Sequence, residues 1–153
     1  MKKIIIGADH GGFRLKDKLK PYLEKKGFHL KDIGTYSSQS CDYPLIAEEL
    51  ARQISRKRYK LGILICKSGI GHAIVANKFP NLRAAVCYSV RAARLCRQHN
   101  DCNVLVLGTS FLNEAIAKRI VSTWLNTAFL GGRHRRRVNQ IRKIEKKICR
   151  QNI

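Results

Sequence analysis

The segment Leu61–Cys66 reads Leu-Gly-Ile-Leu-Ile-Cys, apolar at consecutive positions and therefore on both faces of a strand. Such a run suits the interior of a parallel sheet that carries helices above and below. Lys2–Ala8 is a second apolar, β-branched run, and His29–Ile33, Leu82–Cys87 and Asn103–Leu107 are three more. Helical periodicities lie between them. Phe13, Leu15, Leu19, Tyr22 and Leu23 recur at helical spacing before Gly27, and Pro44 opens a helix striped by Leu45, Ile46, Leu50 and Ile54. A short helix is expected through Lys78, one capped by Ser89 and ending near Arg97, and one capped by Asn113 and reaching Leu125. Gly131-Gly132 breaks the chain before a last helix with Val138, Ile141, Ile144 and Ile148 on one stripe. Alternating strands and helices imply an α/β fold with an open, mostly parallel sheet of five strands. The length of 153 residues fits one domain, 1–153.

In such a sheet the ligand site lies beyond the carboxyl ends of the strands, which selects the loops 9–12, 66–71 and 108–111. Cys66 ends the central strand and precedes Lys67-Ser68-Gly69-Ile70-Gly71, a loop leading into a helix. Loop amides and a helix N-terminus favour a thiolate, and Lys67 adds a positive charge nearby. A strand-end cysteine is usually a small core hydrophobe, but the glycine-rich loop beside it favours a reactive one. Exposed amides at Ser68, Gly69, Ile70 and Gly71 suit a phosphate or a developing oxyanion. A base next to an oxyanion hole is the layout for removing a proton α to a carbonyl.

Asp9-His10 occupies the turn after the first strand. Asp32 stands where a dinucleotide-binding protein would hold a ribose, yet Gly7-Ala8-Asp9-His10-Gly11-Gly12 is not the glycine fingerprint. Asp9 would also repel a pyrophosphate, so nicotinamide binding is not expected. Asp9 reads either as a helix cap or as a contact to sugar hydroxyls. His99, in the polar run Gln98-His99-Asn100-Asp101, suits proton donation or simply the end of a helix. Arg133 and Arg137 are four apart on the last helix and can fork a phosphate, whereas Arg135 and Arg136 read as solvated.

The 31 Lys and Arg against 10 acids give a net charge of +21, which attracts phosphates of any kind. No recognition motif accompanies it, so nucleic-acid binding is expected only non-specifically, with a steep salt dependence. The six cysteines form no C-x-x-C pair and no zinc spacing, which reads as free thiols in a reducing cytoplasm. No signal segment and no apolar run of ~18 residues is evident, so no membrane association is expected. The terminal helix, with nine Lys/Arg and one acid from Arg133 to Ile153, packs either on its own sheet or on a second subunit.

Taken together, several segments resemble ribose-5-phosphate isomerase type B and its relatives, the galactose-6-phosphate isomerase subunits. These are Gly7-Ala8-Asp9-His10-Gly11-Gly12-Phe13, Asp42-Tyr43-Pro44, Gly62-Ile63-Leu64-Ile65-Cys66, Ala76-Asn77-Lys78-Phe79, Arg97-Gln98-His99-Asn100-Asp101 and Gly132-Arg133-His134, spread over nearly the whole chain. The resemblance implies a Rossmann-like three-layer sandwich with a five-stranded parallel sheet and a C-terminal amphipathic helix. It implies interconversion of ribose 5-phosphate and ribulose 5-phosphate, or of a hexose 6-phosphate of galactose or allose type, with no metal and no organic cofactor. Cys66 would be the proton acceptor and His99 the acid that assists ring opening. Asp9 and His10 would contact substrate, Lys67 to Gly71 would stabilise the enediolate, and Asn100, Arg133 and Arg137 would complete substrate and phosphate binding. A homodimer, sometimes paired into a tetramer, would share its sites between subunits.

Three positions depart from that pattern. Lys67 stands where glycine is common, Ser110 where an arginine often clamps phosphate, and His72 where the residue is usually apolar. Lys67 is expected to replace the missing cation from another direction. The departures also motivate a rival reading, a catalytically impaired relative that binds sugar phosphates.

Overall fold

The computed structural model describes residues 2–151. Among the described residues five strands alternate with five helices, and a sixth helix follows the fifth. They are β1 (Lys2–Ala8), α1 (Phe13–Lys25), β2 (Phe28–Asp32), α2 (Tyr43–Ser55), β3 (Leu61–Cys66), α3 (Ile70–Ala76), β4 (Ala84–Val86), α4 (Val90–Asn100), β5 (Val104–Gly108), α5 (Glu114–Asn126) and α6 (Gly132–Gln151). All strand pairs are parallel, in the order β2-β1-β3-β5-β4. This is the three-layer α/β architecture that the alternation and the resemblance led us to expect.

The strand alternation sends neighbouring side chains to opposite layers. Ile4, Ile6, Ile63, Ile65, Leu105 and Leu107 pack with Leu15, Leu19 and Leu23 of α1 and with Ile120 and Trp124 of α5. Ile5, Leu64, Val104 and Val106 face the other way, onto Ala47, Leu50, Ala51 and Ile54 of α2 and Ala76 of α3. Both faces are therefore covered, which is why β3 and β5 are apolar throughout.

Two helix starts are capped as their sequences predict: Ser89 Oγ accepts from the Ala92 amide at 3.1 Å, and Asn113 Oδ1 from the Ile116 amide at 2.9 Å. Several boundaries shift by one or two residues, to Phe28–Asp32 for β2, Ala76 for the end of α3, Val104–Gly108 for β5 and Asn126 for the end of α5, and two differ more. The fourth strand pairs over Ala84–Val86 only, and α4 runs three residues past Arg97 to Asn100. Asp101, at φ 48°, stops it in the left-handed region and gathers Arg83 and Arg97 on its carboxylate at 3.0 and 3.2 Å. His99 and Asn100 thus belong to the last turn of a pinned helix rather than to a loop.

Helix α6 packs against α4. Its apolar stripe divides: Val138 is buried, whereas Ile141, Ile144 and Ile148 are 45%, 56% and 53% exposed. The first turns dock on the chain's own fold and the rest of the stripe faces outward.

Candidate active site

Strand β1 sits between β2 and β3, so the connections leaving β1 and β3 diverge at the carboxyl edge between them. Such a divergence opens a crevice in parallel sheets. Asp9 and Cys66 stand on its two sides, each the residue at or just past a strand end. Two glycines let the surrounding loops close up. A side chain at Gly12 would collide with the Ile65 carbonyl, and one at Gly108 with the Ser68 carbonyl. The three carboxyl-edge loops are then stitched together. Thr109 Oγ1 donates to the Gly11 carbonyl at 3.0 Å, and the Ser110 amide to the Lys67 carbonyl at 2.9 Å.

Cys66 is 5% exposed, and its Sγ accepts a hydrogen bond from the Gly69 amide at 3.0 Å. Gly69 reaches that position through a left-handed φ of 84°, open to glycine at little cost. The amides of Ser68 and His72 act on the same sulfur. The expected amide cradle exists, but its effect on the thiol is outweighed. Burial pushes the Cys66 thiol above its ordinary range, and the Asp9 carboxylate adds to that push. In the free protein the thiol is favoured over the thiolate, contrary to the expectation from the loop and the helix end.

Asp9, 6% exposed, accepts from the Gly12 amide at 3.0 Å through Oδ1. It caps the turn before α1 and not the helix itself, whose N-cap is Gly12 without a side-chain bond, and it also sits at the site. His10 is exposed and its Nδ1 accepts from the Cys41 amide at 3.3 Å. Lys67 and Ile70 are exposed at the mouth, while Ser68 and Gly71 are half-buried. Ser68 Oγ takes the Ile70 amide at 3.3 Å, and the Ser68 carbonyl takes the Tyr88 hydroxyl at 2.9 Å. Asp32 holds no ribose position. Its Oδ1 is paired with the fully buried Lys16 Nζ at 2.6 Å, and its Oδ2 with Lys20 at 2.8 Å.

The other predicted residues gather elsewhere. Helix α4 leaves the carboxyl edge after β4 and runs back, so its last turn lies next to the start of β5. Cys66 pairs in register with Gly108 at the opposite end of that strand. Four residue steps of strand rise separate the two ends by roughly 13 Å. His99, Asn100, Arg133 and Arg137 therefore form a second cluster, away from Cys66 and Asp9 within one chain. There His99 stacks on His134, with ring centroids 4.2 Å apart and planes 6° from parallel. His134 is buried and its imidazole is held below the ordinary range, first by burial and then by His99, Arg133 and Arg137. Asn100, Arg133 and Arg137 are exposed beside it.

Sequence reasoning gave no role to His134 or Tyr43, although both stand in the segments that carry the resemblance. The Tyr43 ring lies against the 67–71 loop, where a side chain on Gly71 would strike it. His72, noted only as a departure, is fully buried behind that loop.

Comparison with known proteins decides the family. Residues 4–141 match the family described as Ribose/Galactose Isomerase. The chain belongs to that family. It is 44% identical over 147 residues to ribose-5-phosphate isomerase B of Escherichia coli, covering 96% of this chain and 99% of that one. The structure of Clostridium thermocellum ribose-5-phosphate isomerase B superposes with a TM-score of 0.93 at 44% identity, covering 95% of this chain and 99% of the other. Ribose-5-phosphate isomerase B from Mycoplasma genitalium, solved with bound ribulose-5-phosphate, gives a TM-score of 0.90 at 38% identity, covering 94% and 96%.

Proposed function

We propose that this family member is an aldose–ketose isomerase acting on ribose 5-phosphate and ribulose 5-phosphate. The observation that carries the reading is Cys66 at the carboxyl end of β3 with the Gly69 amide on its sulfur. Near full-length identity of 44% to a ribose-5-phosphate isomerase B supports the substrate.

In this reading the 67–71 loop amides hold the C1–C2 oxygens while the Cys66 thiolate takes the C2 proton. The negative charge that leaves C2 spreads onto an enediolate, the same sulfur returns the proton to C1, and the hydroxyl proton of O2 passes to O1 to leave the ketone at C2. His99 first protonates the ring oxygen to open the furanose. Asp9 and His10 contact the sugar, and Asn100, Arg133 and Arg137 take the far end and its phosphate.

A single chain keeps Cys66 and His99 apart, and α6 leaves Ile141, Ile144 and Ile148 uncovered. Both observations support a homodimer in which each site takes Cys66 from one protomer and the His99 cluster from its partner. A two-fold arrangement makes two such sites at once. Unpaired cysteines throughout the described residues fit a reducing cytoplasm, and no helix among them is long and apolar enough to cross a membrane. We take the chain to act as one domain.

The test is ketose formation from ribose 5-phosphate, beside galactose 6-phosphate and allose 6-phosphate, with wild type and Cys66→Ala. Turnover of ribose 5-phosphate that the substitution abolishes is the expected result. Turnover of a hexose phosphate alone moves the substrate, and no turnover by folded protein overturns the reading.

A further inference from the structure

The register of β1 on β2 sets Ile5 beside Lys31, and the Ile33 amide continues the pairing onto the Ile6 carbonyl at 3.0 Å. Paired residues of a parallel ladder share a face, and alternate residues repeat it. Lys3, Ile5, Lys31 and Ile33 therefore point to the layer that holds α2, where Ile5 is buried and Ile33 half-buried. Helix α2 packs on β1 and β3, and β2 is the edge strand beside them. The chain after α2 supplies the remaining wall. Lys57 adopts a left-handed φ of 60°, uncommon outside glycine, and the Arg58 amide donates back to the Gln53 carbonyl at 3.0 Å. That turn brings Arg58 and Tyr59 to the recess next to Gln53, and the cleft so lined has a volume of about 380 Å³.

Three of its lining residues are cations and none is an acid. Lys3, Lys31 and Arg58 enter no ion pair among the described residues. Asp32, next to Lys31 in sequence, lies on the opposite face and is taken by Lys16 and Lys20. Gln53 donates its amide Nε2 to Glu49 at 2.7 Å, which leaves its carbonyl oxygen as an acceptor. Edge strands carry lysines to block unwanted pairing. That role needs neither a third cation from another element nor an apolar floor. Like charges gathered at one recess repel one another, and an anion seated among them relieves the repulsion.

We propose that this cleft binds a nucleoside monophosphate. The phosphate dianion takes Lys3, Lys31 and Arg58, the flat base lies on Ile5, Ile33 and the Tyr59 ring, and a ribose hydroxyl donates to Gln53. The volume falls at the lower end of small-molecule pockets, roughly 300–1,000 Å³, and so holds one such ligand but no polymer. A bare sugar phosphate would satisfy the cations and leave the apolar floor uncovered. The cleft is separate from the candidate active site, since six residue steps of β1 set Lys3 roughly 20 Å from Asp9.

The experiment is isothermal titration calorimetry of the full chain with adenosine monophosphate, beside inorganic phosphate, at physiological salt. The nucleotide should bind more tightly than phosphate. Lys31→Glu and Arg58→Glu, both at exposed positions, should each weaken it about tenfold or more. Arg133→Ala combined with Arg137→Ala should leave it unchanged. No nucleotide binding by wild type, equal affinity for inorganic phosphate, or loss with the arginine pair in place of Lys31 overturns the proposal. Amide NMR of the wild type gives a second reading that needs no variant. The nucleotide must move the Lys31, Gln53 and Tyr59 resonances, and shifts confined to the 67–71 loop or to α6 overturn the proposal.

Discussion

The imidazoles of His99 and His134 lie face to face, 4.2 Å between centroids and 6° from parallel, at the junction of α4 and α6. His134 is buried at the first turn of α6, while Asp101, held by Arg83 and Arg97, ends the helix that carries His99. The ring of His99 is therefore held on one face by His134, and the helix end that carries it is pinned by Asp101, before any substrate arrives. His134→Ala should lower turnover by about 10- to 100-fold through loss of that orientation, and His134→Phe should retain much more of it. Steady-state kinetics on ribose 5-phosphate checks this; equal rates for the two variants would remove stacking as the cause.

Lys67 stands exposed at the mouth of the site, on the loop whose carbonyl is tied to the Ser110 amide. Ser110 cannot supply the cation that an arginine would. If Lys67 does so, Lys67→Gly costs a charge-assisted contact of about 1.5–3 kcal/mol, roughly a tenfold or greater rise in KM. The effect should shrink as salt is added. Unchanged KM at low salt assigns Lys67 no part in binding.

Buried charge is concentrated in Lys16, whose Nζ lies 2.6 Å from Asp32 Oδ1 and 2.7 Å from the Thr35 carbonyl. Asp32→Asn leaves that ammonium without its counter-charge and should cost about 3–5 kcal/mol in urea unfolding. Lys20, a third exposed and bound to the other oxygen, should cost no more than about 1 kcal/mol when changed to Met.

His72 fixes a stability window in pH. Burial lowers its imidazole from 6.5 to about 4, the nearby Asp9 charge only partly opposing this. Above pH 6.5 neither the folded nor the unfolded chain is protonated there, and no penalty exists. As pH falls below 6.5 the unfolded chain binds a proton that the native ring refuses. The loss grows until about pH 4, where it reaches about 3 kcal/mol. His72→Leu removes this loss, so its stability relative to wild type should rise by about that amount between pH 7 and pH 4. Chemical denaturation at both pH values checks the sign.

Much of this fold was legible because its interior strands are apolar without interruption and its helices carry clear stripes. Leu61–Cys66 was bounded correctly from those features alone. The apolar run overextends the fourth strand because Leu82 is buried outside the ladder and Cys87 keeps only an amide bond to the Val106 carbonyl past the strand's end, so apolar character reports burial rather than strand pairing. Helix α4 was ended early because Gln98 to Asp101 looks polar, whereas a helix end held by ion pairs needs no apolar residues. At the site, the residues near Cys66 followed from strand ends and glycine spacing. Two things did not. Sequence gives no measure of burial at Cys66, which reverses the expected direction of its titration, and it cannot show that His99 leaves the carboxyl edge. The stack on His134 was hidden for the same reason, since the two rings meet only when α4 and α6 pack.

The proposed site is divided between two chains, with the base on one and the ring-opening acid on the other. The most direct test is complementation: Cys66→Ala and His99→Asn protein, each inactive alone, are unfolded together, refolded at equal concentration and assayed on ribose 5-phosphate. Random pairing makes half the dimers mixed, each with one intact site, so activity should recover to about a quarter of wild type. Activity that stays at the level of the separate variants, from refolded dimers, would contradict the shared site.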